Sequence, residues 1–168
     1  TPASADRLTP ETLWELARLG DAAVSPDGKT VAYLVKRYDL AENSGTSSLM
    51  WQPMPATLDS DDKAAAFDSP LLNEKAESLL NDVKGLGSLN WLAHPTGNKL
   101  VYIAPGKPAQ KAEKGNAKDN EDESEEPGAP QAWMLDPETG ETKQLTNVED
   151  GIGNLITSPS GDAIAFTV

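Results

Sequence analysis

Three things are scarce in this sequence: cysteine, long apolar runs and positive charge. No cysteine is present, so no disulfide framework exists and thiols give no indication of the compartment. No apolar run approaches the ~20 residues that span a bilayer. Lys and Arg number 14 against 27 Asp and Glu, a net charge of −13. Such a charge argues against nucleic acid and anionic membrane surfaces as partners.

The first residues, Thr1 to Ala5, are small and polar and do not begin with Met. This start is typical of a mature chain from which a signal peptide has been removed, and equally of a boundary chosen for expression. The first interpretation predicts a periplasmic or secreted protein.

A short turn followed by an apolar run occurs three times, at residues 25–34, 94–103 and 158–167. In each copy a proline presets φ at the second turn position, and a glycine two residues later supplies a positive φ. This chemistry suits a hairpin with a type I turn and a glycine bulge. We therefore predict that Gly28, Gly97 and Gly161 have positive φ and that the runs after them are equivalent strands.

The spacing of these turns indicates the architecture. Their prolines, Pro26, Pro95 and Pro159, are 69 and 64 residues apart. If residues 52–76 and 105–130 are insertions, these periods become 44 and 38 residues respectively, close to the roughly 40–45 residues of a propeller blade. The pattern predicts an all-β fold, a partial β-propeller of four-stranded antiparallel blades with a short N-terminal helix.

The predicted organisation has four parts, in chain order. They are an N-terminal extension and helix (1–20), the first blade and the start of the second (21–104), an acidic disordered insertion (105–130), and the rest of the second blade with the start of the third (131–168).

The helix is predicted over residues 8–20, with Thr9 as N-cap and Pro10 as first helical residue. Leu13, Leu16 and Ala17 would form its apolar face, with Leu8 and Leu13 as a hydrophobic staple, and Gly20 would end it. We expect this face to pack on the following strands.

Residues 105–130 contain four lysines, then six acids between Asp119 and Glu126, and no large apolar side chain. Such a segment cannot offset its ordering entropy and is predicted to be disordered. Gly106 lies at its mouth, so we expect Gly106→Val to cost less stability than Gly97→Val. A calcium loop is the alternative, but the spacing lacks the glycine and terminal glutamate of an EF-hand. Residues 56–76 are ambiguous, and Ser69-Pro70 could begin a brief helix through Ala76.

The only histidine, His94, stands where the other two turns have Ser25 and Ser158. A catalytic or metal-binding histidine needs partners, and the repeat favours a turn residue instead. We therefore predict no catalytic, cofactor-binding or metal-binding residue in this chain, and no cofactor.

The stretches Leu8 to Trp14, Val24 to Tyr33 and Tyr38 to Asn43 together resemble the start of mature bacterial serine peptidases of the prolyl-oligopeptidase family, within the dipeptidyl-peptidase and acylaminoacyl-peptidase branch. The resemblance implies an N-terminal propeller followed by an α/β-hydrolase domain that acts on peptides. The catalytic serine, aspartate and histidine have no counterparts here, since no Gly-x-Ser-x-Gly elbow exists in these residues.

Two functions remain open. The first is a non-catalytic propeller segment that restricts the access of peptide substrates to a downstream α/β-hydrolase domain absent from this chain. The second is a stand-alone periplasmic propeller-type module that binds peptides or proteins. Expected partners are that hydrolase domain and peptides, together with self-association through unpaired strand edges.

Overall fold

Strands dominate the chain. The computed structural model describes residues 9–54, 76–106 and 128–168. Their elements are α1 (Pro10–Glu15), β1 (Arg18–Val24), β2 (Thr30–Asp39), β3 (Ser44–Pro53), β4 (Glu77–Val83), β5 (Gly87–Leu92), β6 (Lys99–Pro105), β7 (Pro130–Leu135), β8 (Thr142–Gln144), β9 (Leu155–Thr157) and β10 (Ile164–Phe166).

The strands form three antiparallel sheets in which chain neighbours pair. The first sheet has the order β1-β2-β3-β4, the second β5-β6-β7-β8, and the third contains β9 and β10. This arrangement confirms the prediction of an all-β fold with four-stranded antiparallel sheets. The described strands do not close into a barrel or a ring.

The three predicted turns join the first and second strands of successive sheets. Gly28, Gly97 and Gly161 have φ values of 71°, 110° and 74°, the left-handed region in which glycine lacks a steric cost. Each glycine amide donates to the carbonyl oxygen three residues earlier, at 2.8, 3.0 and 3.1 Å. The predicted positive φ values are confirmed, and the strands after them (β2, β6 and β10) hold equivalent places in their sheets.

The second sheet is buried on both faces, as its central strand shows. Along β6, Leu100, Tyr102 and Ala104 belong to the apolar core shared with the first sheet. The alternate residues Val101 and Ile103 belong to a second core, shared with residues from the third sheet and the loops before it. Because successive side chains point to opposite faces, one strand contributes to two cores and holds three sheets in a stack.

Hydrogen bonds also join the first strands of successive sheets. The indole Nε1 of Trp91 in β5 donates to the carbonyl oxygen of Ala23 in β1 at 2.9 Å. On its other side, the Trp91 carbonyl oxygen accepts from the hydroxyl of Thr157 in β9 at 2.8 Å. The side-chain amide of Asn90 donates to the carbonyl oxygen of Leu155 at 2.9 Å. β5 therefore lies between β1 and β9.

One face of the first sheet has no neighbouring sheet in the described part of the chain. Ala32 and Leu34 of β2 are fully buried against the second sheet. Val31, Tyr33 and Val35, which alternate with them, are partly exposed. The apolar residues on both faces of β2 would suit a strand covered on both sides, and the described residues cover one side.

The helix is much shorter than predicted. It contains six residues instead of spanning 8–20, because the backbone leaves helical geometry at Leu16 (φ −63°, ψ 130°). Gly20, expected to end the helix, lies inside β1, at the irregularity between Leu19 and Ala22 in the pairing of β1 with β2. Thr9 is the N-cap as predicted, and its hydroxyl oxygen accepts from the Thr12 amide. Leu8, the proposed staple residue, lies outside the described residues.

The predicted apolar face of the helix is not buried. Leu13 is 47% exposed and Leu16 is 50% exposed, and α1 has no buried residue. The expected burial of this face is therefore wrong for the described residues, although α1 does contact β2 through the rings of Trp14 and Tyr38. Helical spacing brings Leu13, Leu16 and Ala17 to one face only if the helix continues past Glu15, and it does not.

The ends of the predicted insertion belong to the second sheet. Pro105 pairs with Pro130 as the last step of the β6–β7 ladder, and the Gly106 amide donates to the Ala129 carbonyl oxygen at 3.0 Å. A Cβ on Gly106 would lie 2.6 Å from Gln131 Cγ. Gly106 borders the insertion as expected, but it is buried, which argues against the expectation that a side chain is well tolerated there. The interior of the insertion (107–127), and the ambiguous segment except for its last residue, lie outside the described residues.

The indole of Trp91 provides a test of the contact between the first two sheets. We expect Trp91→Phe to lower the free energy of unfolding by about 1–3 kcal/mol, because it leaves the Ala23 carbonyl without its donor. Urea unfolding followed by circular dichroism measures the loss. Trp51→Phe is the matched control, since its indole donates to the Glu77 carboxylate within one sheet, and it should cost under about 1 kcal/mol. Equal losses in the two variants would contradict the inter-sheet role.

Two turn glycines with almost the same φ allow backbone strain to be separated from packing. A Cβ on Gly28 would meet nothing, whereas a Cβ on Gly161 would collide with the backbone carbonyl of Ala93. We expect Gly28→Ala to cost about 1–2 kcal/mol through left-handed strain alone. Gly161→Ala should cost more, because the third sheet must also move away from the second. Thermal unfolding of both variants measures this difference, and a smaller loss in Gly161→Ala would refute the close approach.

Candidate functional site

Two adjoining depressions lie where β2 ends and β3 begins. We call the first the basic cleft. It has a volume of about 320 Å³, and its lining includes Arg18, Lys36, Tyr38, Ser47 and Leu86. Pairing of β1, β2 and β3 brings these residues together, since Lys36 lies opposite both Arg18 and Ser47. Directly opposed residues share a face, so these three side chains are on one face of the first sheet.

The second depression, which we call the acidic cleft, has a volume of about 570 Å³. Its acidic lining residues are Glu15, Asp39 and Glu42. Arg37 and Tyr38 line both depressions. The end of the first sheet therefore presents positive and negative charge side by side.

An aromatic pair borders the basic cleft. The rings of Trp14 and Tyr38 lie 5.3 Å apart between centroids, tilted by 47°. The guanidinium carbon of Arg18 lies 4.7 Å from the centroid of the Trp14 ring, within the range of a cation–π contact. Arg18 also donates to the Leu13 carbonyl oxygen at 3.3 Å. These contacts orient the guanidinium without neutralising its charge.

His94 occupies a turn, as the repeat predicted. Its Nδ1 lies 2.9 Å from the Thr96 hydroxyl and accepts from the Thr96 amide at 3.3 Å. The serines in the two other turns instead accept an amide five residues later, from Thr30 and Ala163. In all three cases the side chain stabilises the turn, and nothing in the geometry of His94 indicates catalysis.

Carboxylates with a perturbed pKa also lie in these turns. A hydrogen bond from the Ser25 hydroxyl, 2.6 Å long, lowers the pKa of Asp27. Hydrogen bonds from Ser160 and then Ser158 lower the pKa of Asp162. Perturbed carboxylates often mark catalytic sites, but here each shift comes from a hydrogen bond inside one turn. No group of His, Asp and Glu side chains suited to a metal ion occurs within residues 9–54, 76–106 and 128–168.

A partly buried ion pair lies near the turn end of the second sheet. Lys99 Nζ lies 2.6 Å from Asp136 Oδ2, and the lysine side chain is only 8% exposed. The same Nζ donates to the Thr96 carbonyl oxygen at 3.4 Å. The pair joins β6 to the residue after β7, and its hydrogen bond lowers the pKa of Asp136.

The basic cleft does not follow from the sequence pattern. The predicted helix over residues 8–20 includes Arg18, whereas the structure places Arg18 opposite Lys36 in a sheet. A signal was nevertheless present, because residues 9–54 contain only four lysines and arginines, and Arg18, Lys36 and Arg37 all line this one cleft.

No protein-family model and no curated protein matches this chain closely enough to show a family. In the described part of the chain, no helix has the length and apolarity needed to cross a membrane.

The Lys99–Asp136 pair predicts how stability depends on pH. Because the folded-state pKa of Asp136 is lowered, the charged carboxylate favours folding above its unfolded-state pKa, and this contribution is lost as the pH falls through the folded-state value. Asp136→Asn should therefore destabilise the protein clearly at pH 7, and the difference should shrink below about pH 4. Melting temperatures of both proteins between pH 7 and pH 2.5 measure it.

The control is Asp150→Asn, which removes an exposed carboxylate from a loop. It should show little difference from the unchanged protein at pH 7. A deficit in Asp136→Asn that stays constant down to pH 2.5 would show that the ion pair does not act through its charge.

Proposed function

We propose that this chain is a non-catalytic segment of a β-propeller and that its three sheets are successive blades. One observation carries the proposal: the first strands β1, β5 and β9 lie side by side, and the same proline–glycine turn follows each of them. Blades of a propeller are four-stranded sheets arranged radially around a channel. The stacking of the second sheet between the other two supports this arrangement.

The parent enzyme we propose is a serine peptidase of the prolyl-oligopeptidase family, of the dipeptidyl-peptidase or acylaminoacyl-peptidase type. The support is the resemblance of the N-terminal residues, in which the Thr9-capped helix is followed closely by the first strand and its turn. In this proposal the propeller restricts the access of peptides to a downstream α/β-hydrolase domain. The protein would work in the periplasm or outside the cell.

A stand-alone periplasmic propeller that binds peptides or proteins is the second candidate. The basic and acidic clefts at the end of the first sheet favour it, because they could contact a ligand without a catalytic domain. The coding sequence downstream of the Val168 codon discriminates the two functions. A Gly-x-Ser-x-Gly elbow followed by Asp and His supports the peptidase, and further repeats without an elbow support the binding module.

Labelling with a fluorophosphonate tests the absence of a catalytic serine. We expect the 168-residue chain to remain unlabelled and to cleave no dipeptidyl or acyl-aminoacyl reporter substrate, since its one histidine is held in a turn. Intact mass spectrometry measures the labelling, with a known serine peptidase as positive control. Stoichiometric labelling of any serine would overturn the non-catalytic assignment.

A further inference from the structure

We propose that the basic cleft binds a carboxylate group of a peptide, with Arg18 and Lys36 as its two cationic contacts and the Ser47 hydroxyl beside them. This proposal goes beyond the proposal that the sheets are propeller blades. Carboxylate binding requires no hydrolase domain and is testable on this chain alone. The aromatic and apolar lining from Tyr38 and Leu86 would contact the adjoining residue of the peptide.

The first step is the placement of two like charges. Arg18 and Lys36 are direct cross-strand partners in the β1–β2 ladder, an arrangement that destabilises a sheet because like charges directly opposite repel. Neither residue forms an ion pair within the described part of the chain. An anion bound between the two cations would offset their mutual repulsion. This gain in stability favours binding of the anion.

The second step is the position of the lysine stem. A Cβ on Gly20 would lie 2.9 Å from Lys36 Cε and 3.1 Å from Leu34 Cβ. Because Gly20 has no side chain, the aliphatic part of the Lys36 side chain can lie against β1. The contact holds Lys36 against the sheet face that Arg18 also occupies.

The third step is the charge of the surroundings. The protein has a net charge of −13, yet the described residues that line the basic cleft include Arg18, Lys36 and Arg37 and no acid. A single carboxylate fits this local positive charge. A polyanion does not, because the acidic cleft next to it would face the remaining negative charges and repel them.

The carboxylate could come from a peptide C-terminus or from an acidic side chain, and matched peptides distinguish these sources. The probes are tetra-alanine as the free acid, its C-terminal amide, and an acetylated Ala-Glu-Ala amide. Binding is measured at low ionic strength by isothermal titration calorimetry, and amide shifts of ¹⁵N-labelled protein locate the site. We expect the free acid to bind at least about tenfold more tightly than the amide, as a charge-assisted hydrogen bond is lost.

If the glutamate peptide binds and the free acid does not, the site binds a side-chain carboxylate and not a C-terminal one. The carboxylate assignment then stands. Equal binding of the free acid and both amides would overturn the proposal. So would tighter binding of inorganic phosphate than of acetate at matched ionic strength.

Lys36→Gln is the decisive variant, because it removes one charge while keeping most of the stem. It should weaken binding of the free acid by about tenfold and leave the melting temperature unchanged or raise it, since the cross-strand repulsion is relieved. Lys29→Gln is the control: it removes an exposed lysine from the β1–β2 turn, at the other end of the same strands, and should alter neither quantity. Unchanged binding in Lys36→Gln would refute the site, and Arg18→Gln provides an independent second test.

Discussion

Burial of the second sheet on both faces is the constraint on which the rest of the structure depends. A sheet that is apolar on one face needs one partner, but β6 presents fully buried side chains to both sides. Each fully buried Leu or Val contributes roughly 1.5–3 kcal/mol, so Leu100 and Val101 each hold a different neighbour in place. Within residues 9–54, 76–106 and 128–168, the first and third sheets do not bury apolar side chains on both faces. Contacts with the second sheet hold them in position.

This constraint explains why polar contacts between sheets concentrate at the first strands. Backbone groups at a sheet edge must find partners when another sheet covers them. Trp91 satisfies the Ala23 carbonyl with its indole, and Thr157 satisfies the Trp91 carbonyl with its hydroxyl. These bonds fix the order β1, β5, β9 as well as the separation of the sheets. Apolar contacts alone, which have no direction, would permit sliding.

The parts of the fold that depend on local chemistry could be predicted from the sequence. Proline and glycine specify the three turns within four residues each, and alternation of apolar residues specifies β2 and β6. The predicted helix is too long because Leu16 and Ala17 continue the helical spacing of apolar residues. The conformation after Glu15 depends instead on strand pairing, such as that of Leu19 with Val35. The burial of Gly106 is unpredictable for a related reason, since the neighbouring Pro105–Pro130 pair joins residues on either side of a long insertion.

The basic cleft is a further feature that local sequence does not predict. No local pattern connects Arg18 with Lys36, and a shift of one residue in strand register would place the two charges on opposite faces of the sheet. The register itself follows from Leu34 and Ala32, whose burial forces Lys36 onto the same face two positions further on. The apolar core thus determines where these charges meet. The fold tolerates the repulsion between the Arg18 and Lys36 charges. In our proposal a carboxylate bound between them would be attracted to both.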